Sequence, residues 1–140
     1  MSYSSADEIV KQLVRIIREA FDRSIAALKE AGAIDTARLE KDYAGSGSKF
    51  YDLVTRQIEL TAQYAVIDDP SADEIADRLV GIIGDGYSRS MAALRKTGAL
   101  NTEHLDEHYK GVGSKFYDLV TEQIELTAQS TGQSIRQLSH

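Results

Sequence analysis

The chain has no cysteine and no tryptophan, and its 140 residues include a single proline. Without cysteine there is no disulfide framework, no thiol nucleophile and no cysteine-based zinc site. No run of about 18 apolar residues occurs, so a transmembrane helix is not expected. The first residues lack a basic segment followed by an apolar run, which predicts no secretory signal. Together these absences predict a cytoplasmic protein that does not bind membranes.

Positive charge is also scarce. The chain carries 16 Lys and Arg residues against 22 Asp and Glu residues, which gives a net charge of −6. The imbalance lies in the second half, because residues 1–67 have a net charge of −1 and residues 68–140 one of −5. Neither half has a basic cluster, so the main driving force for binding a phosphate backbone is missing. We therefore expect no nucleic-acid partner.

An internal repeat is the clearest positive feature. When the sequence is shifted by 66 positions, 36 of the 59 pairs over residues 5–63 are identical, including 14 of the 15 pairs over residues 49–63. This indicates a tandem duplication of units 5–64 and 71–130. The linker 64–70 is too short to separate independent domains, and the tail 131–140 lies outside the repeat. We expect a single domain, residues 1–140, with its units packed about a pseudo-twofold axis.

Each unit has the pattern of two long helices with a short helix between them. Small polar residues stand at the predicted N-caps of the first and second helices: Ser5 and Ser71, then Thr36 and Thr102. Gly32 and Gly98 occupy the position of a C-cap glycine. Glycine-containing segments precede the third helix, although one bent helix through these glycines is an alternative. The pattern predicts an all-α bundle of four main helices with short extra helices.

Polar residues interrupt the apolar faces of the long helices. They are Ser24, Gln57 and Thr61 and, 66 positions on, Ser90, Gln123 and Thr127. A buried polar group without a partner costs about 1–3 kcal/mol, so each must find one. One interpretation is a small-molecule pocket at the pseudo-twofold axis. The other is that Gln57 and Gln123 pair with each other and fix the register of the helices.

A histidine motif lies on the short helix of the second unit. His104, Glu107 and His108 fit the pattern H-x-x-E-H, in which two histidines chelate a metal ion and the glutamate acts as a base. The first unit has Arg38 and Asp42 at the histidine positions, and no third ligand can be named. A solvated histidine pair is therefore the alternative interpretation, and we expect no resident cofactor.

Glycines precede a serine and a lysine at the start of both third helices. The pairs are Ser48 with Lys49 and Ser114 with Lys115. A helix N-terminus can bind an anion because its first N–H groups have no partner within the helix. A C-cap glycine followed by an N-cap serine explains the same residues without a ligand.

Three glycines distinguish the first helix of the second unit. Gly81, Gly84 and Gly86 stand where the first unit has Arg15, Arg18 and Ala20, in that order. An interior glycine costs a helix about 1 kcal/mol relative to alanine. Either the helix breaks near residue 85, or a backbone or ligand approaches closely, or the sequence has drifted locally. We favour the packing of a partner chain on this face.

The sequence contains no set of residues typical of a catalytic site apart from the histidine motif. It therefore favours a non-enzymatic interaction or scaffold protein, acting as a homodimer or with another protein partner. A small-molecule binding module with the central pocket is the first alternative. A metal-dependent hydrolase using the histidine motif is the second.

Overall fold

The computed structural model describes residues 2–43, 48–108 and 114–139, without the side chains of residues 2–5, 38, 42, 104, 108 and 139. Over these ranges the chain is helical and has no strand. The helices are α1 (Ser2–Glu30), α2 (Ala37–Asp42), α3 (Lys49–Ala65), α4 (Ala72–Asp77), α5 (Leu79–Lys96), α6 (Glu103–His108) and α7 (Lys115–Arg136), followed by a 3₁₀ turn at Gln137–Ser139. The all-helical prediction is confirmed for these residues. None of these helices is both long and apolar enough to cross a bilayer.

The two predicted capping boxes have different outcomes. Ser71 forms one: its Oγ accepts the Glu74 N–H at 3.1 Å, and Glu74 Oε1 accepts the Ser71 N–H at 3.3 Å. The prediction for Ser5 is wrong, because α1 begins at Ser2 and passes through it. Pro70 explains the difference, since proline keeps the residue before it out of the helical region and forces a new start. No such residue precedes Ser5.

In the second half of the chain, the first long helix is interrupted at Arg78 and not near residue 85. Arg78 separates α4 from α5 with φ −100° and ψ 10°, and its N–H is shared between the carbonyls of Glu74 and Ile75. Helix α5 then continues through Asp85, so a break there does not occur. The short helix α4 packs against α7 and the 3₁₀ turn.

Thr36 occupies the N-cap of α2, as predicted, but in both short helices the side chain that accepts the first N–H group belongs to the residue before the predicted cap. Asp35 Oδ1 accepts the N–H of the residue two positions on at 3.1 Å, and Asn101 Oδ1 does the same at 3.2 Å. Both make the side-chain turn that Asp and Asn favour. Thr36 makes no capping hydrogen bond within the described residues and, like Thr102, is buried. The predicted C-cap glycines, Gly32 and Gly98, both have a φ of 75°, as a helix-ending glycine requires.

The apolar faces of the four long helices enclose one hydrophobic core. Helix α1 packs most extensively against α7, and α5 against α3, while α1 and α5 also touch each other. Phe21, Phe50 and Phe116 are almost completely buried in this core, which draws on both halves of the chain. Burying a side chain of this size contributes about 1.5–3 kcal/mol. Helices α3 and α7 share no packed interface over their described lengths.

Of the three glycines of α5, only Gly86 lies in close contact with α1. A Cβ atom on Gly86 would overlap Cγ2 of Ile17 on α1. A Cβ atom on Gly81 would have no neighbour within 4 Å, and one on Gly84 would contact only Ile124 Cδ1, at 4.0 Å. Packing within the chain therefore accounts for Gly86 and leaves Gly81 and Gly84 without an internal reason.

Candidate functional site

The six polar residues predicted to line a central pocket lie on four helices. Ser24 is on α1, Gln57 and Thr61 are on α3, Ser90 is on α5, and Gln123 and Thr127 are on α7. The Thr61 hydroxyl donates a hydrogen bond to the backbone carbonyl of Gln57, and the Thr127 hydroxyl donates one to the backbone carbonyl of Gln123, both at 2.8 Å. Because α3 and α7 are not packed together, the described structure does not join the two glutamine amides by a hydrogen bond.

The two serines stand apart from this pattern. Ser24 and Ser90 have no exposed surface, and neither hydroxyl has a hydrogen-bond partner among the described residues. The threonines are thus satisfied by their own helices, whereas the serines remain unpartnered inside the core.

The predicted metal motif lies largely outside the described side chains. Glu107 is exposed on α6, while the side chains of His104 and His108 lie outside the described residues. Where side chains are described, no group of three His, Asp or Glu residues is placed to hold a metal ion.

The serine–lysine pairs do begin α3 and α7, as predicted. Ser48 and Ser114 have extended backbone angles at the N-caps, but neither side chain makes a capping hydrogen bond to the described part of its helix. The Nζ atoms of Lys49 and Lys115 lie 5.4 and 5.3 Å from the ring centroids of the phenylalanines that follow them. The glycines at 45, 47, 111 and 113 lie outside the described residues.

A groove of about 480 Å³ runs along α5 beside the end of α3. We call it the Gly81 groove; it is lined by Thr61, Tyr64, Ala65, Arg78, Gly81, Ile82 and Asp85. Its walls are mostly apolar, and the guanidinium of Arg89 lies 5.2 Å from the ring centroid of Tyr64. Tyr64, which lines it, is 53% exposed, and two apolar residues close in sequence to its lining are also exposed, Val80 to 45% and Ile67, in the linker, to 71%.

The groove is open because α3 ends early. Ile82 is partly exposed beside it, whereas Ile16, 66 positions earlier on α1, is only 3% exposed. Helix α7 continues to Arg136, and the 3₁₀ turn that follows it packs against α1. Helix α3 ends at Ala65 and gives α5 no such cover. The missing cover leaves an apolar surface next to a glycine.

A second cluster of polar and aromatic side chains is centred on Arg18 of α1. Its guanidinium donates hydrogen bonds to the hydroxyls of Tyr43 and Thr55. It also lies 4.2 Å from the centroid of the Tyr51 ring, in cation–π geometry. The rings of Tyr43 and Tyr51 meet edge to face at 5.3 Å. Arg18 is therefore held by two hydroxyls and an aromatic face, with no carboxylate in salt-bridge contact among the described residues.

Burial dominates the electrostatics of this cluster. Desolvation raises the pKa of the Tyr43 phenol to about 12, although the positive charge of Arg18 acts in the opposite direction. Desolvation also raises the pKa of Asp22, again against the charge of Arg18. The phenol stays protonated at neutral pH, so the cluster can bind a cation by hydrogen bonding and stacking. It contains no activated nucleophile.

Recurrence of three residues is the one sign of this cluster in the sequence, and helical periodicity does not explain it. Tyr43, Tyr51 and Thr55 recur as Tyr109, Tyr117 and Thr121, although the arginine they would hold does not recur. Helical spacing assigns Arg18 to the polar face of α1 but cannot say which residues of another helix approach it.

Comparison of the chain with protein-family models, curated proteins and solved structures gives no significant match. The grooves and the Arg18 cluster are therefore the features from which a function can be inferred.

Proposed function

We propose that this protein is a non-enzymatic interaction protein that self-associates through the Gly81 groove. The observation that carries the proposal is an uncovered apolar groove beside a glycine whose Cβ position is empty. A glycine on a helix surface lets a second helix approach closely, and exposed apolar residues around it favour burial by a partner. The partner to which we commit is a second copy of this chain.

The charges that border the groove are self-complementary. Arg78 and Asp85 lie at equal distances along the chain on either side of Gly81 and Ile82. If two α5 helices pack antiparallel about a twofold axis at this point, Arg78 of each copy faces Asp85 of the other. Within one chain Arg78 contacts Glu74 at 3.7 Å and Asp85 contacts Arg89 at 3.2 Å, all through exposed side chains, so the dimer would exchange these ion pairs for pairs between copies. A twofold contact needs such a surface, because the same patch is used on both partners.

The proposal includes a tandem duplication arranged about a pseudo-twofold axis. Two contacts join positions that are 66 residues apart. Asp35 and Asn101 form a backbone bridge, and the rings of Phe21 and Tyr87 lie 6.1 Å apart. A contact between equivalent positions is what an axis passing between the two units would produce.

Two smaller grooves support the same arrangement. One, of about 310 Å³, lies between α1 and α2, and the other, of about 210 Å³, lies between α5 and α6. Each is bordered by one ion pair, Lys29 with Glu40 in the first and Arg95 with Asp106 in the second, again at positions 66 apart. On this view the chain is a fused pseudo-dimer whose second half keeps a surface for a further copy.

The test is sedimentation equilibrium of the full chain over a wide concentration range. We expect a monomer–dimer equilibrium that Gly81→Arg abolishes, because the arginine would fill the groove as Arg15 occupies the related position in the first half. Gly132→Arg is the matched control. Gly132 also lies on a helix with nothing within 4 Å of its Cβ position, but it is remote in sequence from the groove.

A charge exchange tests the orientation of the two copies. Arg78→Glu should weaken the dimer by about tenfold by placing like charges opposite each other, and adding Asp85→Arg should restore it. Circular dichroism of each variant checks that the fold is retained. A strict monomer at every concentration, or a dimer indifferent to Gly81→Arg, contradicts the proposal.

A further inference from the structure

The Arg18 cluster shows how this fold binds a guanidinium group. The cation is received by α3, whose Tyr51 offers a ring face and whose Thr55, one turn later, offers a hydroxyl oxygen. Both side chains are half-buried, which strengthens their interaction with a charge. Planar geometry matters here, because a guanidinium can stack on a ring while its N–H groups donate at the edge.

The second half keeps the receiving residues but has lost the arginine. Tyr117 and Thr121 occupy the same two positions of α7, one turn apart and both half-buried. Gly84 of α5 stands where α1 has Arg18. The Thr121 hydroxyl makes no hydrogen bond to any described residue, in contrast to Thr61 and Thr127, which bond to their own helices.

The backbone at Gly84 leaves room for the first atom of a side chain. A Cβ atom built there would meet only Ile124 Cδ1, at 4.0 Å, which is an ordinary van der Waals contact. Ile124 lies less than one turn beyond Thr121 on α7, so Gly84 faces the stretch of helix that carries the receiving residues. The missing arginine side chain has not been replaced by a neighbouring bulky group at this point.

The residues that correspond between the two halves have changed charge in the direction that favours a cation. Arg15, Arg18 and Arg56 of the first half correspond to Gly81, Gly84 and Glu122 in the second. The change from Arg56 to Glu122 is also the single difference between residues 49–63 and 115–129. The second half as a whole carries most of the negative charge of the chain.

From these observations we infer that Tyr117, Thr121 and the space beside Gly84 form a binding site for an external guanidinium group. The ligand class is a guanidinium compound or the arginine side chain of a protein. The site is separate from the Gly81 groove and does not depend on self-association. The guanidinium group of the ligand would occupy the position that corresponds to that of the Arg18 guanidinium in the first half.

The direct test is a titration of the full chain with methylguanidinium, followed by amide NMR spectra at constant ionic strength. We expect saturable shifts at Gly84, Tyr117 and Thr121. Methylammonium should bind at least about fivefold more weakly, because a point charge cannot stack and donate in the same way. No saturable shift, or an equal response to both cations, would overturn the inference.

Variants locate the site. Gly84→Arg should remove the response to methylguanidinium and raise the melting temperature, since the new side chain occupies the site from within. Thr121→Val should weaken binding roughly threefold to tenfold, as expected for one hydrogen bond to a charged group. Gly132→Arg should leave the titration unchanged. If Gly84→Arg does not fold, the wild-type and Thr121→Val titrations still decide the question.

Sedimentation of the same variants identifies the source of the guanidinium. If it comes from a second copy, Gly84→Arg lowers self-association while Gly132→Arg does not. If it comes from another molecule, self-association is unchanged and the titration alone is affected. Failure of the Gly81 groove as an interface would leave the methylguanidinium titration intact, so the two proposals fail independently.

Discussion

Asp35 and Asn101 exchange two backbone hydrogen bonds, with N···O distances of 3.2 and 3.4 Å, although 66 positions separate them in the sequence. Each residue also uses its side-chain oxygen to accept the N–H group two positions on, at the start of a short helix. The pair therefore joins the two short helices to each other and fixes where each begins.

Replacing either residue should cost stability without changing the fold. Asp35→Ala and Asn101→Ala each leave the first N–H group of a short helix without its acceptor, and we expect each to lower the free energy of unfolding by about 1 kcal/mol. Urea denaturation measures this. Asp68→Ala, an exposed change in the linker, is the control and should stay within about 0.5 kcal/mol of wild type. Equal effects of all three variants would show that the side-chain caps contribute nothing.

Gly86 tests the close approach of α1 and α5. Gly86→Ala should destabilise the protein by about 1–3 kcal/mol, because the new methyl group overlaps Ile17 Cγ2. Helix propensity alone predicts the opposite, a gain of about 1 kcal/mol. Gly132→Ala, in open space on α7, should show that gain and serves as the matched control. Thermal unfolding distinguishes the two directions.

A second change should rescue the first. Ile17→Leu removes the Cγ2 branch that a methyl group on residue 86 would meet. We expect the double variant, Ile17→Leu with Gly86→Ala, to be more stable than the sum of the single effects predicts. Simple additivity would mean that the overlap is relieved by a shift of the helices instead.

Much of the fold follows from local patterns in the sequence. The long helices follow from apolar spacing, and their ends at Gly32 and Gly98 follow from the conformational freedom of glycine. The start of α1 at Ser2 could not be predicted from the Ser5 motif. A capping box marks the start of a helix only where the residues before it cannot be helical, as Pro70 ensures before Ser71. The break at Arg78 has no local signal of this kind, since the helix there is shaped by its contact with α7.

The candidate sites were harder to foresee because they depend on which helices meet. The sequence singled out Gly81 and Gly84 but could not tell them from Gly86, which internal packing explains. Helical periodicity predicts that Arg18 is exposed to solvent, because it carries no information about the residues of α3 that contact Arg18. Conversely, pairing of Gln57 with Gln123 is one of two interpretations that the sequence allows, and their helices pack mainly with other helices, α7 with α1 and α3 with α5.

The unpartnered serines give a prediction of increased stability. Ser24→Ala and Ser90→Ala each remove a buried hydroxyl without a hydrogen bond and introduce a better helix former. We expect each to raise the free energy of unfolding by about 1 kcal/mol, or the melting temperature by roughly 3 °C. Ser88→Ala, exposed on α5, reports the helix propensity alone. A loss of stability in either buried variant would mean that its hydroxyl has a partner, such as a bound molecule in the core.

Tyr43 should make stability fall at high pH. Its pKa is about 12 in the folded protein against 10.0 for an ordinary tyrosine. Between these values the unfolded chain has released the phenolic proton and the folded chain still holds it, so the unfolded state binds fewer protons. Stability therefore decreases as pH rises through this window, by up to about 1.4 kcal/mol per pH unit, and the contribution is fully present below pH 10.

Denaturation curves collected at a series of pH values between neutrality and the upper end of this window measure the effect. Tyr43→Phe removes the phenol and should flatten the decline, while costing some stability at neutral pH because Arg18 loses a hydrogen-bond acceptor. Tyr64→Phe removes an exposed phenol and is the matched control. A decline that is as steep in Tyr43→Phe as in the control would place the high-pH transition on another group.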